Sequence, residues 1–195
     1  MRKKTDVRRL TMMALFTALI AVGAFIKIPV PVVPFTLQLL FTTLAGLLFG
    51  SRFGACSVGA YICLGLLGLP IFAEGGGFWY LLKPSFGYLP GFLLGSWLCG
   101  RMVEKAKAVT WKMLVAASFA NLLAVYGTGL AYYYIICNFV LDTPVAMGTL
   151  FLYGFVLAVP GDIALCILSA CVAKRMRPVV LAMEQRTEGV KAWGH

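Results

Sequence analysis

An all-α protein of six membrane-crossing helices is the fold class this sequence predicts, and three observations predict it. Of its 195 residues 61% are hydrophobic and only 12% charged, with a mean hydropathy of +0.91, a balance that a water-facing surface does not sustain. The apolar residues gather into six runs separated by charge, proline or glycine. Lysine and arginine concentrate in alternate hydrophilic segments, as expected of segments that stay in the cytoplasm.

A bilayer core takes about 20 apolar residues per helix. With short tails, this chain therefore has room for five to seven crossings and no separate soluble domain. The six runs are residues 10–28, 35–50, 53–71, 86–100, 113–139 and 144–173. The first follows Met1-Arg2-Lys3-Lys4 but continues to Ile28 with no small-residue cleavage site, so it is expected to be a retained helix and not a signal peptide. The second and fourth are short, which predicts unequal tilt. The sixth is long and carries Pro160-Gly161, where a local break is expected. The chain divides into a basic amino terminus (1–9), a six-helix domain (10–173) and a basic tail (174–195).

With the amino terminus in the cytoplasm, the inner segments hold Arg2, Lys3, Lys4, Arg8 and Arg9, then Arg52, then Arg101, Lys105, Lys107 and Lys112, then Lys174, Arg175, Arg177, Arg186 and Lys191. Those are fifteen of the seventeen basic residues, so both termini are expected in the cytoplasm. The same topology explains the formal charge of +10 without nucleic acid as a partner. Lys27 and Lys83 alone fall on the outer side. Lys27 precedes the proline-spaced stretch 28–34, which forbids helix and favours an extended connector. Lys83 ends the longest outer loop, which mixes Gly75-Gly76-Gly77 with Phe78, Trp79 and Tyr80.

Enzyme chemistry finds few candidates. The single histidine is His195, and no HExxH, GxSxG or metal-spaced carboxylate pair is present. The six cysteines lie singly in or beside apolar runs, so neither a metal site nor a disulfide framework is expected. No cofactor is implied. Asp6, Glu104, Glu184 and Glu188 fall on the inner side, leaving Glu74 and Asp142 outside and Asp162 within the last run.

Asp162 is the most informative acid, because a carboxylate at a helix centre costs about 3 kcal/mol to insert. It either contacts a ligand in a polar cavity or caps a helix restarting after Pro160-Gly161, and the two roles are compatible. Thr36 and Gln38 open the second run and face water or a shared pocket; the Gln38 amide needs hydrogen-bond partners in apolar surroundings. Ala14, Ala18, Ala21 and Ala24 form a narrow stripe of small side chains on the first helix. Such a stripe serves either packing within the bundle or docking of another membrane subunit.

Three segments together resemble the BioY family, the biotin-binding S components of energy-coupling factor transporters. These are Ile28-Pro29-Val30-Pro31-Val32-Val33-Pro34-Phe35-Thr36-Leu37-Gln38, then Gly68-Leu69-Pro70-Ile71-Phe72-Ala73 with Pro84-Ser85-Phe86-Gly87-Tyr88-Leu89-Pro90-Gly91-Phe92, and Pro160-Gly161-Asp162. The resemblance spans residues 10–173. It implies an S-component fold, a vitamin site near the outer face under loops that act as lids, and docking of a coupling transmembrane subunit on Ala14 and Ala18. Two cytosolic ATPases would supply the energy, since the chain has no GxxxxGK[ST] loop of its own. The expected location is a bacterial plasma membrane.

Two departures from the family pattern are visible. The lysine of its PGDxxK motif is Leu165 here, and its GPTGGY reads Lys83-Pro84-Ser85-Phe86-Gly87-Tyr88. Biotin joins a neutral ureido ring to an anionic valerate, so its pocket wants polar acceptors at one end and a cation or donors at the other. These departures point to Lys83 as a replacement cation, paired with Asp162 or with the valerate, the alternative being a solvated loop charge. Asp162, Gln38, Thr36 and Tyr88 would give polar contacts, Phe72, Phe78 and Trp79 would cover the ring, and Glu74 and Gly77 would belong to the same loop. The competing readings are a secondary carrier or channel titrating Asp162 and Glu74, or an S component for another vitamin.

Overall fold

The computed structural model describes residues 7–28, 35–106, 108–141, 143–156 and 158–192. The connector 29–34, Lys107, Asp142, His195 and the first six residues, with their basic cluster, lie outside this set.

Helix α1 (Val7–Phe25) runs into strand β1 (Lys27–Ile28), which pairs antiparallel with β2 (Phe35–Thr36) in the register Lys27 to Thr36 and Ile28 to Phe35. The proline stretch is thus bracketed by a short hairpin. Helices α2 (Gln38–Phe49) and α3 (Ser51–Leu66) follow, joined at Gly50, whose φ of 90° suits a residue without a Cβ. The run expected to continue to Ile71 stops at Leu66 because Gly68, at φ 111°, turns the chain out of the helix. A loop with two 3-10 turns, Phe78–Leu82 and Pro84–Gly87, leads to α4 (Tyr88–Lys105).

Helix α5 (Trp111–Phe139) is capped by Thr110, whose Oγ1 accepts from the Met113 amide at 3.3 Å. The sixth apolar run divides into a short α6 (Met147–Phe151), a π-helical turn (Leu152–Val156) and α7 (Val159–Ala192). The break therefore lies upstream of Pro160-Gly161. Proline is compatible with a first helical turn, where its missing N–H is not needed, so Pro160 starts the helix instead of interrupting it. Asp162 consequently sits in the first turn of α7, not at a helix centre. The helix also runs past Ala173 without interruption, so the tail expected from residue 174 is helical through Ala192.

Val7–Phe25, Trp111–Phe139 and Gly148–Ala182 are long and apolar enough to cross a membrane. Leu15, Val22, Trp97, Leu123, Ile135 and Ile167 are exposed on the outside of the bundle, a surface suited to lipid. Inside are two apolar clusters. One includes Ile20, Leu39, Tyr61, Tyr88, Phe92, Leu122 and Cys166, the other Phe16, Leu44, Leu47, Cys99, Leu114 and Ala170. Along each helix, polar residues fall between contributors to the two: Thr42 and Thr43 on α2, Ser96 on α4, Ser118 and Asn121 on α5, Ser169 on α7, all fully buried. Ser96 Oγ donates to the Thr42 carbonyl at 2.9 Å, and Asn121 Nδ2 donates to Thr43 Oγ1 at 2.6 Å. Such bonds between helices hold a bundle together where apolar packing alone gains little over contact with lipid.

Helices α4 and α5 approach closely at Gly91, where a Cβ would meet the Val125 Cα at 2.7 Å, whereas Gly127 on α5 faces open space. Gly91→Ala is expected to destabilise by about 1–3 kcal/mol. Gly127→Ala should be neutral or stabilising by up to about 1 kcal/mol. Thermal unfolding in detergent measures both; equal melting temperatures would contradict this packing.

Candidate ligand-binding site

At the hairpin end of the bundle, four stretches of chain enclose a cavity. The hairpin and α2 contribute Phe35, Thr36, Gln38 and Leu39; the loop after α3 contributes Ala73, Tyr80 and Ser85. Helices α4 and α5 add Tyr88, Leu89, Phe92, Val125 and Tyr126, and the last segment adds Gly154, Ala158 and Asp162. The walls are mainly apolar with a few polar groups converging, the usual make-up of a small-molecule site.

The Asp162 carboxylate, 8% exposed, accepts a 2.5 Å hydrogen bond from the Tyr126 hydroxyl. Its own backbone amide bonds the Ala158 carbonyl at 3.2 Å. The side chain is therefore tied across to α5 and aimed into the cavity. Tyr126 also meets Tyr88 and Phe155 edge to face, at 6.0 and 5.1 Å between ring centroids.

Opposite, a relay of donors runs through the hairpin and α2. Thr36 Oγ1 donates to Gln38 Oε1 at 3.2 Å, Gln38 Nε2 donates to the Tyr61 hydroxyl at 2.8 Å, and that hydroxyl donates to the Ile71 carbonyl at 3.1 Å. Gln38 thereby finds the partners that its burial demands. The loop is braced by the same logic. Ser85 Oγ lies 3.2 Å from the Tyr80 hydroxyl and donates to Glu74 Oε2 at 3.1 Å. Burial raises the pKa of the Tyr80 phenol above its ordinary value, so it stays neutral.

One lining group stands apart. The Tyr88 hydroxyl is buried and, among the described residues, has no hydrogen-bond partner. An unpaired buried hydroxyl costs on the order of 1–3 kcal/mol, and buried tyrosine hydroxyls usually find a partner.

Thr36, Gln38, Tyr88 and Asp162 thus come together on one cavity. Lys83 does not pair with Asp162. Its ammonium donates to the Glu74 carbonyl at 2.8 Å, lies 3.8 Å from the Glu74 carboxylate and sits 5.3 Å above the Tyr80 ring. Phe72 is buried behind the lining, against Tyr61 and Tyr80. Phe78 and Trp79 are 70% and 80% exposed and do not line the cavity. Gly77, at φ 95°, turns the loop, and its amide bonds the Gly65 carbonyl at 2.7 Å.

Ala14 and Ala18 face outward on α1, but Ala24 is fully buried, so the alanine stripe divides between surface and core. Leu165, where the resembled motif has lysine, is buried among apolar neighbours. Sequence reasoning missed Tyr61 and Tyr126. A tyrosine inside an apolar helix that must place its hydroxyl was the available signal for both.

The Tyr126–Asp162 bond predicts a stability effect independent of any ligand. Tyr126→Phe leaves a buried carboxylate without its donor and is expected to cost about 1–3 kcal/mol. The readout is a lowered unfolding temperature in detergent; no change would mean that the bond contributes nothing.

The sequence matches the BioY family over residues 1–182. A protein of Lysinibacillus sphaericus described as a probable biotin transporter BioY is 44% identical over 179 residues, covering 92% of this chain and 91% of its own. The biotin transporter BioY of Thermotoga maritima is 37% identical over 172 residues, covering 88% and 96% respectively. Among solved structures, the S-component for biotin from an ECF-type ABC transporter superposes with a TM-score of 0.77 at 30% identity, covering 91% of this chain and 95% of that one. With its family match nearly full-length and its cavity built from the motifs that first suggested the likeness, the chain belongs to the BioY family.

Proposed function

We propose that this chain is the biotin-binding S component of a bacterial vitamin importer, taking its ligand into the cavity between the hairpin and α7. The observation that carries the reading is that two polar groups of complementary capacity, from α7 and α4, line the same cavity. Asp162 offers carboxylate oxygens to the ureido N–H groups, and the unpartnered Tyr88 hydroxyl is free to meet a ligand polar atom. Leu39, Leu89, Phe92 and Val125 supply an apolar wall for the ring system. The relatives named above, described as biotin transporters, and the biotin S-component structure support the choice of ligand.

In this reading the six helices α1 to α5 and α7 all cross the plasma membrane, both termini are cytoplasmic, and the cavity opens outward. The chain hydrolyses no nucleotide. A coupling transmembrane subunit docks on the outward Ala14 and Ala18, and two cytosolic ATPases drive transport.

Equilibrium binding of labelled biotin to the purified protein in detergent tests the assignment. Tyr88→Phe should weaken binding about five- to tenfold without lowering the melting temperature of the free protein, and raising it if anything, because the lost hydroxyl is buried and bonds nothing in the protein. Asp162→Asn should weaken binding further. Absence of biotin binding by the parent protein, or equal affinity in both variants, would overturn the proposal. The topology has its own check in a cysteine-free background: Lys83→Cys should react with an impermeant maleimide on intact cells, and Lys174→Cys only after lysis.

A further inference from the structure

We infer that Lys27 is the cation that receives the ligand's carboxylate at the rim of the cavity; this rests on the biotin reading above. Topology gives Lys27 no role, since it lies on the opposite side from the cytoplasmic basic clusters. The hairpin gives it a place. Lys27 is directly opposite Thr36 in the β1–β2 register, and Thr36 lines the cavity. Its ammonium donates to the Ala73 carbonyl at 2.7 Å, and Ala73 lines the cavity from the other side. Lys27 is not itself a lining residue but is exposed, with its backbone paired to one lining residue and its Nζ held at the carbonyl of another, so the ammonium stands beside the cavity with access to solvent.

The two cations at this end differ in what they already hold. Lys83 already has a carboxylate partner, with the Glu74 carboxylate 3.8 Å away, and also meets the Glu74 carbonyl and the Tyr80 ring. Lys27 holds one neutral carbonyl, and among the described residues no carboxylate is within ion-pair distance. An ammonium has three donors, which leaves two for an incoming anion. The apolar Leu165 supplies no cation deeper in the site. A ligand whose neutral head lies against Asp162 and Tyr88 would then direct an anionic tail toward the hairpin. The contact also joins ligand, hairpin and the loop after α3 through one side chain.

The experiment compares biotin with biotinamide, whose tail is neutral, in the full chain in detergent. The parent protein should prefer biotin by about two- to fivefold, the range of a solvent-accessible ion pair. This preference should shrink in high salt. Lys27→Met should bring the ratio to about one, Lys27→Arg should keep it, and Lys83→Met should leave it unchanged.

A parent protein that binds both ligands equally would overturn the assignment, as would a Lys27→Met variant that keeps the preference. Equal weakening of both ligands by Lys27→Met would reduce Lys27 to a loop fastener and likewise refute it. Parent protein that binds no biotin would sink the functional reading first, so the two failures are distinguishable.

Discussion

A carboxylate inside an apolar bundle needs a donor, and the Tyr126–Asp162 hydrogen bond answers that requirement. It fixes the first turn of α7 against α5 and thereby closes one wall of the cavity. Placing Asp162 at a helix start adds the favourable end of the helix dipole to the hydroxyl's contribution. The short α6 and a π-helical turn precede this helix start. The last apolar segment has to stop and restart for its aspartate to stand at the cavity and not in the middle of a continuous helix.

Around that wall, the remaining polar groups divide between those that satisfy one another and one that does not. Thr36, Gln38 and Tyr61 form a chain ending on a backbone carbonyl, and Ser85 links Tyr80 to Glu74. These closed networks make the hairpin and the loop rigid neighbours of the cavity. The Tyr88 hydroxyl is outside every such network. A site with most polar groups internally satisfied and one left open is suited to fix a ligand's orientation without reorganising its frame.

Further along the bundle, the belt of buried threonine, serine and asparagine between the two apolar clusters aligns α2, α4 and α5. Close approach of α2 to α4 at Gly46, where a Cβ would meet the Ser96 carbonyl oxygen at 2.4 Å, keeps the Ser96–Thr42 bond within reach. The cavity thus rests on a scaffold whose register is set by directional contacts. Ala14 and Ala18 lie on the outer face of α1, away from both clusters.

Hydropathy and the spacing of prolines and glycines were enough to locate α1 to α5 within a few residues, because burial in lipid demands long apolar runs. The sixth run was not resolved in this way, since it divides into α6, a π-helical turn and an α7 that starts at Val159 and continues to Ala192. The motifs around Gln38, Tyr88 and Asp162 marked the cavity for the same reason: polar side chains in apolar segments stand out. What linear order does not carry is which polar groups meet. Asp162 bonds Tyr126, thirty-six residues away, and Lys83 turns to Glu74 and not to Asp162. Phe78 and Trp79 turn outward although they read as pocket aromatics. Sequence alone determined the first five helices, the polar outliers and the family likeness. Only the tertiary structure decided the pairings, because hydrogen bonds and ion pairs act over a few ångströms and depend on how helices far apart in the chain are packed.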